Sequence, residues 1–227
     1  MKKNIFLALD FNSLEKALDT TSKTQEHIAG IKIGLELYNT IGIKGIKEFE
    51  KFNLPIFLDI KIFDIPNQVA KTIKVLKNIK GIKYLTVHAM GSLEMLNAAQ
   101  NEVLDSKLEL LAVSILTSWN KTDLEKIGIS SNVNDQVELL VKLACESKLT
   151  GVIASAQDIN LVRSVSKKIK IFCPAIRADI DTQDQKRTLS YREFNRLADD
   201  KCFAVIGRPI YIGNPLENIK KIISSAN

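Results

Sequence analysis

The sequence predicts an α/β fold, a single-domain (β/α)8 barrel of the TIM type over residues 1–227. Three observations carry this. Eight short apolar or β-branched runs alternate with longer segments of helical period. Such alternation fits a parallel sheet covered on both faces by its crossover helices. Ionisable and hydroxyl side chains gather where the runs stop, the end at which barrels collect their chemistry. A doubly wound open sheet is the alternative, but the opening strand lacks the GxGxxG turn that such folds often use.

The elements follow in order. Ile5–Leu9 is an unbroken apolar run ended by Asp10, the first strand. Asn12 stands three residues before Glu15, the spacing of a helix start, and Leu14–Thr21 continues with helical period. Ala29–Ile33 is the second strand, followed by a helical pattern over Gly42–Phe52. The third strand, Pro55–Ile60, leads to a helix over Gln68–Leu76, and the fourth, Tyr84–Val87, to one over Leu93–Val103. Leu110–Leu116 and Gly151–Ala154 are strands five and six, with helices at Val137–Cys145 and Ile159–Ser166. Ile169–Phe172 and Phe203–Ile206 complete the eight, and Pro215–Ser224 reads as a last amphipathic helix.

Composition narrows the function. Hydrophobic residues are 45% of the chain, enough for one large core, and no Pro/Gly/Ser-rich linker divides it. The net charge of +6 would draw nucleic acid or a phosphorylated metabolite. Many lysines, however, sit beside acids on solvated helix faces, as in "KGIKEFEKF", and aromatic-interleaved basic strands are missing. No nucleic-acid partner is therefore expected. Nor is a membrane: no apolar stretch reaches spanning length, and "MKKNIFLALD" has only five apolar residues in its run before Asp10. Cys145, Cys173 and Cys202 are scattered without CxxC spacing, which reads as reduced thiols in the cytoplasm. Two histidines, His27 and His88, are too few for a multi-histidine metal centre and argue against a Ser-His-Asp triad.

The chemistry lies at the strand ends. Asp10 ends strand one, Lys32 stands near the end of strand two, and Asp59 and Lys61 end strand three in "FLDIKIFDIPNQ". Thr117 and Ser118 follow strand five, Arg177 strand seven, and Gly207 and Arg208 strand eight. Residues two apart on a strand share a face, so Asp59 and Lys61 point the same way, and in a barrel the interior is favoured. Lys32 on the neighbouring strand completes a plus-minus-plus row that keeps each member charged. An ammonium beside a fixed carboxylate is equipped to protonate a carbanion. No cofactor or metal motif accompanies it, so no cofactor and no metal are expected.

The decapeptide "LDIKIFDIPN" (58–67) closely resembles the signature of orotidine 5′-phosphate decarboxylases. "ALDF" (8–11), "IKIGLELY" (31–38), "TVHAMG" (86–91), "ILTS" (115–118), "CPAIR" (173–177) and "VIGRPI" (205–210) appear in family order. The resemblance implies cofactor-independent decarboxylation of orotidine 5′-phosphate to UMP, the last step of de novo pyrimidine synthesis. It implies Lys61 as proton donor to C6, Asp59 against the scissile carboxylate, Lys32 bonding Asp59 and the ribose, and Asp10 holding the ribose. It further implies a homodimer in which Asp64 reaches the partner's site, with Ile65 and Gln68 beside it among the substrate-binding positions. Thr117 and Ser118 would meet the pyrimidine, and Gly207, Arg208, Arg177 and Gln185 the phosphate, the last two from a closing lid over 177–190. Ala175, Gln68 and Pro209 depart from the residues commonly found there (Gly, Thr and, in some members, Ser). Related barrels that act on sugar phosphates with magnesium, and a pyrimidine-nucleotide-binding barrel without activity, are the competing readings.

Overall fold

The structure, a computed structural model, describes residues 4–177 and 187–226. The strands are β1 (Ile5–Ala8), β2 (Gly30–Gly34), β3 (Ile56–Ile62), β4 (Ile82–His88), β5 (Glu109–Val113), β6 (Gly151–Ile153), β7 (Lys170–Cys173), β8 (Ile176–Arg177), β9 (Leu189–Ser190) and β10 (Cys202–Ile206). β1 to β7 pair in sequence and β10 closes the circle between β7 and β1, every ladder parallel. β8 and β9 form a separate short parallel ladder. The expected (β/α)8 barrel is therefore the observed one.

The helices are α1 (Leu14–Thr24), α2 (Leu35–Ile46), α3 (Pro66–Leu76), α4 (Ser92–Val103), α5 (Lys121–Lys126), α6 (Val133–Glu146), α7 (Ile159–Val165), α8 (Tyr191–Leu197), α9 (Arg208–Tyr211) and α10 (Pro215–Ser224). They cover the barrel through one apolar stripe each; α3 buries Val69, Ile73 and Leu76 at helical spacing. α10 matches its expected bounds because Asn214 accepts from the Leu216 and Glu217 amides and Pro215 fixes the first turn.

Several boundaries differ from expectation, three of them for reasons that the backbone shows. The cap of α1 is Ser13, which accepts from the Lys16 amide, rather than Asn12. α2 begins at Leu35, not Gly42; Gly42 at φ 59° breaks the helix, and a 3-10 segment over Lys47–Phe52 follows. A left-handed residue inside a helix is tolerable only without a Cβ. β5 stops at Val113, so Leu116, Thr117 and Ser118 belong to the turn beyond it.

The barrel interior is aromatic. Phe6, Phe57, Tyr84, Leu111 and Phe172 fill it from alternate inward positions. Phe6 and Phe57 meet Phe172 edge-on at 5.2 and 5.3 Å, the geometry ring quadrupoles favour. Below this plug Glu109 pairs with Lys170 and, at 2.6 Å, with Lys83, closing the N-terminal end with satisfied charge. The plug leaves the C-terminal half of the barrel open for a site.

Ala175 is buried at φ 63°, a left-handed conformation that costs a residue with a Cβ about 1–2 kcal/mol. Glycine there relieves that strain but gives the unfolded chain more freedom, an offset of about 0.4–1 kcal/mol. Ala175→Gly is thus expected to raise the unfolding free energy by roughly 0.5–1 kcal/mol in urea titrations. An unchanged or lower value would show that the Ala175 methyl earns its place by packing.

Candidate active site

β2 aligns Lys32 with Ala8 of β1 and Phe57 of β3, both inward positions, so Lys32 enters the barrel. One step further up, Asp59 pairs with Gly34. The Lys32 Nζ donates to Asp10 Oδ1 at 3.0 Å and lies 3.8 Å from Asp59 Oδ2. The Lys61 Nζ donates to Asp59 Oδ1 at 2.9 Å. Four side chains of alternating sign, Asp10, Lys32, Asp59 and Lys61, thus form one continuous row. Burial alone would lower the Lys32 pKa, but the Asp59 and Asp10 carboxylates outweigh it and hold the ammonium above the ordinary lysine value.

Asp59 and Lys61 share a face as expected, though not by regular pleating. β3 bulges: Leu58 pairs with Leu85 and Ile62 with Val87, four steps against two. An even number of extra residues preserves inward and outward parity. Within the bulge Lys61 takes φ 47°. Opposite the bulge, buried Thr86 accepts from the Lys61 amide at 2.8 Å and donates to Asp59 Oδ1 at 3.2 Å. Sequence reasoning did not select Thr86; the available signal was a hydroxyl at an inward position of an otherwise apolar strand.

The row lines one wall of a cavity of about 340 Å³ at the C-terminal end of the barrel, with Phe57 among its lining residues. Thr117 and Ser118 line it from the turn after β5, and Gly207 and Arg208 from the end of β10. A Cβ at position 207 would stand 3.2 Å from both the Ala8 Cβ and Asp10 Oδ2, so glycine lets the β10 end approach the row. Ala175 and Pro209 also line the cavity.

Three expected site residues are elsewhere. Asp64, Ile65 and Gln68 do not line the cavity; all are exposed, Asp64 accepting from the Ile65 amide. Arg177 ends β8, while Gln185 and most of the segment 177–190 lie outside the described residues. His88 is not a lining residue either. Its ring stacks on Phe63 at 5.5 Å, and burial, with the nearby Lys61 charge, lowers its pKa. Trp119 packs on the outer core and borders a neighbouring groove. Among the described residues no three His, Cys, Asp or Glu side chains are grouped to share a metal ion, and no helix is long and apolar enough to cross a membrane.

Residues 3–222 match the sequence profile of the Orotidine 5′-phosphate decarboxylase / HUMPS family. The chain belongs to that family. A relative from Wolbachia pipientis subsp. Culex pipiens (strain wPip), named orotidine 5′-phosphate decarboxylase, is 38% identical over 97% of each chain. One from Sphingopyxis alaskensis with the same name is also 38% identical, over 92% of each. Among solved structures, the orotidine 5′-phosphate decarboxylase of Lactobacillus acidophilus superposes with a TM-score of 0.82, 27% identity and full coverage of both chains. An uncharacterized conserved protein from Geobacillus kaustophilus superposes with the same TM-score, covering 98% of this chain and 100% of its own. Membership in the orotidine 5′-phosphate decarboxylase / HUMPS family thus rests on the whole barrel as well as on the decapeptide.

Proposed function

We propose that this protein decarboxylates orotidine 5′-phosphate to UMP, the last step of de novo pyrimidine synthesis, using side chains alone. The observation that carries the reading is the unbroken Asp10–Lys32–Asp59–Lys61 row on the cavity wall. Relatives named for this activity, aligned along nearly their full length, support the substrate.

The row suggests how the reaction proceeds. The substrate carboxylate on C6 lies against Asp59, and two like charges at close range raise the energy of the bound carboxylate. As the C6–carboxylate bond breaks, carbon dioxide leaves with no charge and the electron pair stays on C6. The Lys61 ammonium gives that carbon a proton, becomes an amine and regains a proton from water. Lys32 and Asp10 bind the ribose hydroxyls, Thr117 and Ser118 meet the pyrimidine, and Gly207 and Arg208 bind the phosphate. Arginine's forked donors suit that last task. The family resemblance gives Arg177 and Gln185 the same phosphate-binding task.

A second copy of the chain completes the site. Asp64 is exposed and does not line its own cavity, and its chain neighbours Phe63 and Ile65 are 61% and 62% exposed. Apolar side chains flanking a carboxylate suit an interface between protomers, with Asp64 entering the partner's cavity and Ile65 and Gln68 beside it. The thiols of Cys145, Cys173 and Cys202 are free, in keeping with a reducing cytoplasm.

The test follows orotidine 5′-phosphate absorbance in EDTA with the purified protein. Rapid, stoichiometric conversion to UMP is expected. No conversion would overturn the reading and direct the search to magnesium-dependent sugar phosphates or to nucleotide binding without turnover.

A further inference from the structure

We propose that Thr86 is a positioning residue for this reaction, fixing the Lys61 ammonium and the Asp59 carboxylate together through one buried hydroxyl. The proposal rests on the decarboxylase reading above.

Alternation along β4 sends Tyr84, Thr86 and His88 inward, and Tyr84 belongs to the inner plug. Thr86 is therefore a polar residue in a core layer, with none of its surface exposed. A hydroxyl in such a place must find partners, and this one uses both of its capacities. It accepts the Lys61 amide, and it donates to Asp59 Oδ1, the oxygen that also receives the Lys61 Nζ.

The bulge explains why that arrangement bears on chemistry. Between Leu58 and Ile62 the ladder with β4 is interrupted, and the Lys61 amide bonds the Thr86 hydroxyl. The left-handed backbone of Lys61 is a strained state that persists only where its surroundings hold it. Thr86 supplies that hold, and its β-branched side chain has few rotamers by which to let go. With two donors on Oδ1, the carboxylate is turned so that Oδ2 stands toward Lys32, at 3.8 Å. One hydroxyl thereby sets the path of the proton donor's backbone and the rotation of the charge beside it.

Thr86→Val keeps the shape and removes both bonds; Thr86→Ser keeps the hydroxyl. Wild-type turnover is measured first, so that its failure would count against the function and not against this role. For Thr86→Val we expect kcat to fall about 100-fold, the scale of a misplacement of about an ångström at the reacting group. UMP affinity should stay within about threefold, because the lost interaction acts on the reacting centre rather than on uniform binding. Thr86→Ser should recover kcat to within about fivefold of wild type, limited by its looser rotamers. If Thr86→Val does not fold, Thr86→Cys takes its place with the same readings. Near-normal kcat in the hydroxyl-less variant would overturn the proposal. So would an equal loss in Thr86→Ser, which would mark a packing role, or a collapse of UMP affinity parallel to kcat.

Discussion

Lys61→Ala is expected to lower kcat by about four orders of magnitude, the upper range for a positioned general acid, with UMP affinity changed only a few-fold. The size follows from two roles that end together. In the proposed mechanism the proton donor to C6 disappears, and the cation 2.9 Å from Asp59 Oδ1 disappears with it. Asp59 keeps its bond from Thr86 and the Lys32 charge, so the cavity should survive. UMP has no carboxylate on C6, and the proposal gives its ribose and phosphate to other residues, which separates the binding readout from the kinetic one. Lys61→Met, closer in volume, should behave the same way if charge and proton are what matter. Single-turnover decay of orotidine 5′-phosphate absorbance, beside UMP titration, measures both quantities. A kcat within tenfold of wild type would mean that the C6 proton comes from another group, and the mechanism would have to be redrawn.

The charged row was legible in the sequence because two simple rules converge on it. Strands of a parallel barrel end on one side, and inward parity puts Lys32, Asp59 and Lys61 on one surface. The parity argument reached the correct face for Lys61 without anticipating the bulge, since two extra residues leave parity unchanged. The same bulge hid Thr86. Its partners are created by an interrupted pairing between β3 and β4, and pairing register is a property of two strands that no single run of residues displays. The cap of α1 failed for a different reason. Asn12 and Ser13 are both good capping residues, and the choice depends on where the backbone turns, here in favour of Ser13. For α2, the helical pattern read over Gly42–Phe52 starts where the helix in fact breaks, and the seven residues from Leu35 to Ile41, about two turns, precede it. The departure at Ala175 was visible, but its meaning was not, because only the backbone shows that the position requires a left-handed residue.

Co-expressing Lys61→Ala and Asp64→Asn subunits under different tags, and isolating the mixed dimer, is expected to restore about half of the wild-type activity per dimer, although each variant alone is inactive. The expectation follows from the two-fold symmetry of a dimer with composite sites. One site of the mixed dimer combines both defects and stays silent. The other takes an intact Lys61 from the Asp64→Asn subunit and an intact Asp64 from its partner, and it works. If Asp64 instead served its own protomer's cavity, every site in the mixed dimer would contain one defect and no activity would return. The geometry favours recovery. Asp64 is exposed and absent from the lining of its own cavity, and its carboxylate accepts the Ile65 amide at the start of α3. Phe63, though stacked on His88, stays largely exposed in the isolated chain, and so does Ile65 on the other side of Asp64 in the sequence. Burying those two side chains against a second copy would supply the apolar area that carries Asp64 across. Recovery of activity therefore reports on the interface and the catalytic assignment at once, and a dimer that forms but does not recover would separate them, leaving the interface and removing Asp64 from the partner's site.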